Sequence, residues 1–148
     1  MLEIRIAHRG DLPAIMDLLN RDYIPAPPHQ QAPTDDQIRA FDAIAAHPDH
    51  QIAVATWQGE VVGTLQLLFL PGLAHDGAWR AQVEAVRVRG DVRNQRIGTR
   101  LMEWVIAQAR ARNCHVVQLT SNSARLDAHR FYERLGFKTT HVGMKLTL

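Results

Sequence analysis

Four side chains that can bind an anion stand together in the stretch RNQRIGTRL. They are Arg93, Asn94, Gln95 and Arg96. Directly after them, an apolar repeat that begins at Ile97 predicts the start of a helix. A helix N-terminus carries partial positive charge and unpaired backbone N–H groups, so arginines are unfavourably placed there unless an anion binds among them. The pattern therefore indicates a site for an anion, and phosphate is the group that such turns commonly hold.

This turn does not match the common nucleotide motifs. No Gly-Lys-Ser or Gly-Lys-Thr follows, as a triphosphate-binding P-loop would require. Gly98 is the only glycine in the stretch, whereas a dinucleotide fingerprint needs three. Taken alone, the turn leaves a structural helix start and a phosphate site equally open.

Alternating and helical periodicities predict the elements that position this turn. The order is strand, two helices, three strands, helix, strand, helix and strand. The strands are predicted at 2–9, 51–57, 60–70, 79–88, 114–120 and 137–148, and the helices at 12–20, 35–46, 97–112 and 125–135. The three middle strands form a predicted antiparallel meander.

Side-chain signals mark several boundaries of these elements. Asp11 is predicted to cap the first helix, and Thr34 with Gln37 to form a capping box for the second. The glycine-containing connection QGE predicts a hairpin. The third helix has an apolar stripe at intervals of four, formed by Ile97, Leu101, Val105 and Ala109.

Two loops are candidate substrate-binding segments. The first, YIPAPPHQQAP, is rich in proline, and the second is PGLAHDGAW. Tyr23 and His29 in the first loop, and His75 and Trp79 in the second, are candidates to line a pocket.

Composition excludes several classes of protein. The 148 residues are 46% hydrophobic, which suits one globular domain, and 17 Lys plus Arg against 15 acids give a net charge of +2 that does not favour nucleic-acid binding. Cys114 is the single cysteine, and the eight histidines lack ligand spacing, so no metal is expected. No apolar run approaches membrane-spanning length, and the N-terminus lacks the pattern of a signal peptide. A cytoplasmic protein without membrane contact is therefore expected.

Two segments resemble the signature sequences of the GCN5-related N-acetyltransferase (GNAT) family. The first is VRVRGDVRNQRIGTRL, in which the residues that match the family pattern are Arg93, Gln95 and Gly98. In the family, this segment wraps around the pyrophosphate of acetyl-coenzyme A. In DAHRFYERLGF, the family pattern is A-x-x-x-Y-x-x-x-G-F, and the matching residues are Ala128, Tyr132, Gly136 and Phe137. The chain departs from the family at Arg96, where glycine is usual, and at Arg125, where asparagine often stands.

The resemblance implies an α/β (α+β) fold of the GNAT type: a mixed, mostly antiparallel central sheet with about four helices on its two faces, in one domain spanning 1–148. It implies acetyl-coenzyme A as co-substrate, without a metal. The backbone of the fourth strand is expected to pair with the pantetheine arm of the cofactor as an added strand would. The implied cofactor-binding residues are Val86, Arg87, Val88, Arg93, Asn94, Gln95, Arg96, Ile97, Gly98, Thr99, Arg125, Ala128 and Tyr132.

The resemblance also implies two catalytic residues. An amine attacks a carbonyl only when it is neutral, and the departing thiolate needs a proton. Related enzymes place an acid at the position of Glu84, as general base or as a ligand of the substrate ammonium, and a tyrosine at the position of Tyr132, as general acid for the thiolate. The expected acceptor is a primary amine of a small molecule or a peptide.

Two other functions compete with this interpretation. One is a non-catalytic coenzyme A binding or regulatory module of the same fold, and the other is a nucleic-acid-binding domain that uses the arginines of residues 87–100. The near-neutral charge disfavours the second. The sequence leaves a homodimer open, and it does not determine which amine is the acceptor.

Overall fold

The computed structural model describes residues 1–21 and 32–148, with the side chains of Arg93 and Asn94 outside the description. It contains two compact units, Met1–Gln118 and Leu119–Leu148. That residues 1–148 form one domain stays a prediction.

The larger unit is built on a five-stranded sheet in the order β1-β2-β3-β4-β5. The strands are β1 (Leu2–Ile6), β2 (His50–Trp57), β3 (Glu60–Leu70), β4 (Arg80–Val88) and β5 (Val116–Leu119). The first three neighbouring pairs are antiparallel. Two contacts join β5 to the start of β4: His115 N–H donates to Trp79 O at 2.9 Å, and Gln118 bonds Gln82 at 2.9 Å. Because both contacts advance in the same direction, β4 and β5 run parallel and the sheet is mixed, as predicted.

The described residues contain five helical segments. They are α1 (Leu12–Asn20), α2 (Asp35–Ala46), α3 (Ala74–Gly77), α4 (Ile97–Ala111) and α5 (Leu126–Arg134). The four longer helices confirm the prediction, and α3 is a single turn inside a predicted loop, with left-handed backbone at His75 (φ 53°) and Asp76 (φ 60°). Short 3-10 turns cover Arg9–Asp11 and Gly90–Gln95. No described helix is long and apolar enough to cross a bilayer.

Helix α4 packs on β3 and β4 through its predicted apolar stripe. The stripe residues Ile97, Leu101, Val105 and Ala109 are all buried. Gly63 of β3 permits this close packing, because a Cβ atom there would lie 3.1 Å from Leu101 Cδ1. The start of α4 is therefore fixed to the sheet by the hydrophobic core.

Two of the predicted boundary signals are confirmed. Thr34 and Gln37 form the capping box, with Gln37 N donating to Thr34 Oγ1 at 3.1 Å and Thr34 N to Gln37 Oε1 at 2.9 Å. The QGE connection makes the β2–β3 hairpin, with positive φ at Gln58 and Gly59, as a tight hairpin turn requires.

The predicted capping role of Asp11 is wrong. Its side chain makes no cap hydrogen bond to α1, and it accepts two bonds from Arg5 instead, at 2.7 and 2.9 Å, and one from His8 N at 2.9 Å. Hydrogen bonding to Arg5 lowers the pKa of the buried Asp11 carboxyl. The Asp11 carboxylate therefore pairs with the nearby Arg5 guanidinium and does not cap the helix as the local sequence had predicted.

The predicted last strand, 137–148, is also wrong. No strand follows α5 in the described part of the chain, and every residue from Lys138 to Leu148 is exposed. Alternating apolar residues indicate which face a strand would bury, but a strand forms only where its backbone groups pair with a neighbour. The sequence pattern was present here without the neighbouring strand.

Candidate active site

The anion-binding turn predicted from sequence is a 3-10 turn followed by a left-handed residue and then α4. Arg96 has φ 58° and ψ 27°, and its carbonyl accepts the helical bond from Arg100 N at 3.1 Å. The first N–H groups of α4, those of Ile97, Gly98 and Thr99, precede the first intrahelical bond, as at any helix start. These three backbone N–H groups lie where the sequence predicted an anion. Because the Ile97 side chain is buried, only its backbone can serve a ligand.

The backbone at Arg96 gives a physical reason for the glycine that is usual at this position. A positive φ brings Cβ close to the backbone in every residue except glycine, at a cost of about 1–2 kcal/mol. Arg96 carries that strain, and its side chain is exposed at the start of the helix. The conformation that the family's glycine favours is thus kept in this chain, with a guanidinium added.

Arg89 anchors the same turn to the sheet. Its backbone N donates to Val62 O at 2.8 Å, Nη1 donates to Glu60 Oε2 at 2.9 Å, and Nε donates to Asp91 Oδ1 at 2.7 Å. Hydrogen bonding to Arg89 lowers the pKa of Asp91. This anchor was missed from the sequence, where the only signal was an acid two residues after the arginine.

A β-bulge in β4 shapes the adjoining surface. Gln66 pairs with Glu84 and Thr64 with Arg87. An advance of three residues in β4 is therefore paired with an advance of two residues in β3, so β4 contains one extra residue. Ala85 is the residue with strained backbone in this bulge, because its φ is 53°. Nothing in the sequence predicted this bulge, because position 85 holds no glycine, asparagine or aspartate.

Beyond the bulge, β4 has an open side. β5 lies beside the start of β4 and ends one residue after Gln118, so residues 85–88 extend past it, and no described strand lies along them on that side. Val86 and Val88, the predicted pantetheine partners, lie in this stretch. Arg87 Nη1 donates to Val86 O at 2.9 Å, which leaves that carbonyl a second lone pair. The open side can receive an extended ligand as a strand would.

Glu84, the predicted base, accepts a hydrogen bond from Gln82, which is itself bonded by Gln118. Gln82 Nε2 donates to Glu84 Oε1 at 2.8 Å, and Gln118 Nε2 of β5 donates to Gln82 Oε1 at 2.9 Å. Because Gln118 bonds the oxygen of the Gln82 amide, that amide presents its N–H₂ to the carboxylate. Glu84 is exposed and keeps further lone pairs for a substrate proton. Sequence reasoning missed both glutamines, although Gln82 and Glu84 are two apart on one strand and share a face.

Tyr132 lies in the smaller unit, in the last turn of α5. Gly136 ends the helix with φ 101°, and Phe137 N donates to Tyr132 O at 3.0 Å. The Tyr132 ring makes edge contacts with Phe131 and Phe137, with centroids 5.2 and 5.7 Å apart. The glycine and phenylalanine of the second signature segment therefore fix where the tyrosine side chain can point.

The other two residues predicted in this unit lie at and after the start of α5. Arg125 precedes the helix, and its N–H donates to Asn122 O at 3.0 Å. Ala128 is half-buried and lies one turn before Tyr132, on the same helix face.

The predicted substrate loops are described only in part. Tyr23 and His29 lie outside the described residues. His75 is in α3, and its ring lies against that of His115, with centroids 4.6 Å apart. The backbone bond from His115 to Trp79 brings this pair beside the start of β4. No group of three metal-ligating side chains occurs within residues 1–21 and 32–148.

Comparison with known proteins agrees with this architecture. The model of the Acetyltransferase (GNAT) family matches residues 12–137. An aminoalkylphosphonate N-acetyltransferase of Salmonella typhimurium is 35% identical over 101 residues, which are 68% of this chain and 65% of that enzyme.

Solved structures of other proteins share this fold over the full length of the chain. A transcriptional regulator from Bacillus halodurans C-125 superimposes with a TM-score of 0.94 at 38% identity, covering 100% of both chains. A Trypanosoma brucei acetyltransferase gives 0.82 at 25% identity, also over 100% of both chains. A family match that includes the α4 turn, the bulged strand and the Tyr132 segment shows that this chain belongs to the GNAT acetyltransferase family.

Proposed function

We propose that this protein transfers the acetyl group of acetyl-coenzyme A to a primary amine of a small molecule. The observation that carries the proposal is that one compact unit combines the donor-rich start of α4, the open side of β4 and an oriented Glu84 carboxylate. The first two features suit a phosphate-bearing extended ligand, and the third suits an amine. The N-acetyltransferase from Salmonella supports the same reaction class.

In this proposal the start of α4 binds the pyrophosphate. The N–H groups of Gly98 and Thr99 donate to phosphate oxygens, and the exposed Gln95 and Arg96 side chains contribute further donors. Arg93 and Asn94 belong to the same proposed set, and so do Arg87, Arg125 and Ala128. The backbone of Val86 and Val88 pairs with the amide groups of the pantetheine arm.

The chemistry assigned to the side chains balances. The amine nitrogen forms a bond to the thioester carbonyl carbon, and the carbon–sulfur bond breaks. Glu84 accepts the proton that the nitrogen loses, directly or through a water, and the Tyr132 hydroxyl donates a proton to the thiolate. The hydrogen bond from Gln82 holds the Glu84 carboxylate in one orientation while it accepts that proton.

The acceptor class is proposed from the same relative. We assign a small aminoalkyl compound that carries an anionic group such as phosphonate, because the Salmonella enzyme acts on aminoalkylphosphonates. That relative also disfavours a non-catalytic coenzyme A binding module. A cytoplasmic location stays a prediction.

The test is release of free thiol from acetyl-coenzyme A with a panel of amines: aminoalkylphosphonates, the same amines without phosphonate, and lysine peptides. We expect turnover, with the phosphonates preferred. Glu84→Gln should lower kcat by about 100-fold to 10,000-fold, the usual range for a general base. Glu3→Gln, on the exposed face of β1, is the matched control and should not change kcat.

Two outcomes would contradict different parts of the proposal. Acetyl-coenzyme A binding without thiol release for any amine would favour the non-catalytic module. If the unmodified protein turns over and Glu84→Gln is equally active, Glu84 is not the general base, whereas the reaction class stands.

A further inference from the structure

Arg80, the first residue of β4, is a half-buried cation without a bound anion. Its guanidinium makes no hydrogen bond or ion pair with another described residue, and its Nε atom is buried without a partner. Removing a charged group from water is unfavourable unless an opposite charge or a hydrogen-bond acceptor compensates it. The Arg80 side chain is therefore suited to an anion that comes from outside the described part of the chain.

Arg80 lies on the same face of the sheet as Glu84, the proposed base. Helix α4 packs against Gly63 of β3, and Val83 of β4 shares that face because it pairs with Leu67. Side chains alternate along a strand, so residues 80, 82 and 84 of β4 point to the opposite face. Arg80 therefore lines the side of the sheet on which Glu84 would meet the acceptor amine.

The distance between the two side chains limits what can contact both of them. Arg80 and Glu84 are four residues apart on an extended strand, which corresponds to about 13 Å between their Cα atoms. A Cβ atom at Gly72, in the loop that follows β3, would lie 3.4 Å from Arg80 Nη1. Because β3 ends at Leu70, opposite Arg80, the guanidinium lies at the end of the sheet away from Glu84. A molecule that contacts both groups must be extended.

We infer that Arg80 binds the anionic group of the acceptor while Glu84 receives its amine, which makes the acceptor an extended ω-aminoalkylphosphonate. This inference rests on the proposed function and names the second group that the acceptor must carry. The planar guanidinium of an arginine can donate two parallel hydrogen bonds to phosphonate oxygens, as it does to those of a phosphate. Arg80 takes no part in the proton transfers, so its role is to determine which amine binds.

The first measurement is isothermal titration calorimetry of the full chain in the presence of coenzyme A, with aminopentylphosphonate, aminoethylphosphonate and pentylamine. We expect the first to bind most tightly, because the second is too short to reach both side chains and the third lacks the anion. Arg80→Gln should weaken aminopentylphosphonate binding by about 10-fold to 100-fold, the scale of hydrogen bonds to a charged group, and leave pentylamine binding unchanged. Arg80→Lys keeps the charge and should recover part of the affinity. Arg110→Gln, exposed on α4 across the sheet, is the matched control and should change neither.

The second measurement compares kcat/KM for the same amines. In Arg80→Gln it should fall for aminopentylphosphonate and stay unchanged for pentylamine, with KM for acetyl-coenzyme A also unchanged. An equal loss for both amines would indicate a structural role and overturn the inference. Phosphonate binding that is absent or independent of Arg80, or aminoethylphosphonate that binds as tightly as the longer compound, would overturn it too. Failure of every amine to release thiol would contradict the proposed function alone, because calorimetry still decides whether Arg80 binds the anion.

Discussion

The two signature segments of this chain are held in different ways. The first, around β4 and α4, rests on a core in which Ile97, Leu101 and Val105 are completely buried. In the second, around α5, no described residue is buried, and the ring of Tyr132 contacts those of Phe131 and Phe137. The difference follows from what each segment contributes. Backbone N–H groups keep their positions only if the helix and strands that carry them are packed in the core. The orientation of one aromatic side chain, by contrast, can be set by the end of its helix and by contacts with two neighbouring rings.

The largest expected effect tests the sparsely packed segment. Tyr132→Phe keeps the ring and its edge contacts and removes only the hydroxyl, so kcat should fall by about 100-fold to 10,000-fold while acetyl-coenzyme A affinity changes little. Single-turnover acetylation is the measurement, because slow product release would mask part of the loss. Phe131→Leu is the control for ring packing. Acetylation at the unmodified rate in a single turnover would mean that Tyr132 has a packing role alone.

The second prediction compares the packing of the two segments directly. Leu101→Ala should lower the free energy of unfolding by about 2–5 kcal/mol, because it leaves a cavity between α4 and Gly63. Leu126→Ala, at the start of α5, removes a side chain that is 59% exposed and should cost less than about 0.5 kcal/mol. Urea unfolding of both variants measures the difference. Similar losses would show that α5 is packed in solution and would remove the contrast.

The smallest effect tests whether the packed segment orients Glu84. In Gln118→Glu the new carboxylate cannot donate to Gln82, whose amide must then turn its oxygen toward Glu84. We expect kcat to fall by about tenfold, on the scale of one hydrogen bond to a charged group, with KM for acetyl-coenzyme A unchanged. Gln118→Lys restores a donor and should recover most of the rate. Equal kcat in all three proteins would show that Glu84 needs no orientation, and a change in KM alone would indicate a structural role.

The local features of this fold could be predicted because their causes lie within a few residues. The stripe from Ile97 to Ala109 needs only helical spacing, and the Thr34–Gln37 capping box closes within one turn. The signature segment of α5 was likewise readable, since the Gly136 helix end and the ring contact of Phe137 lie within five residues of Tyr132. For residues 137–148, periodicity predicted a strand that the structure does not contain, because a strand also needs a neighbouring strand to pair with.

The sequence by itself therefore determined the helices, the hairpin and the family, because each depends on local spacing or on a motif, and it named the candidate residues for acetyl transfer. Only the tertiary structure decided how those residues are held. The bulge at Ala85 arises from the register of two strands, and Arg89 reaches Glu60 across the sheet. The bond from Gln118 to Gln82 joins residues 36 apart in sequence. Pairings of this kind depend on which elements become neighbours on folding, which no local pattern of side chains specifies.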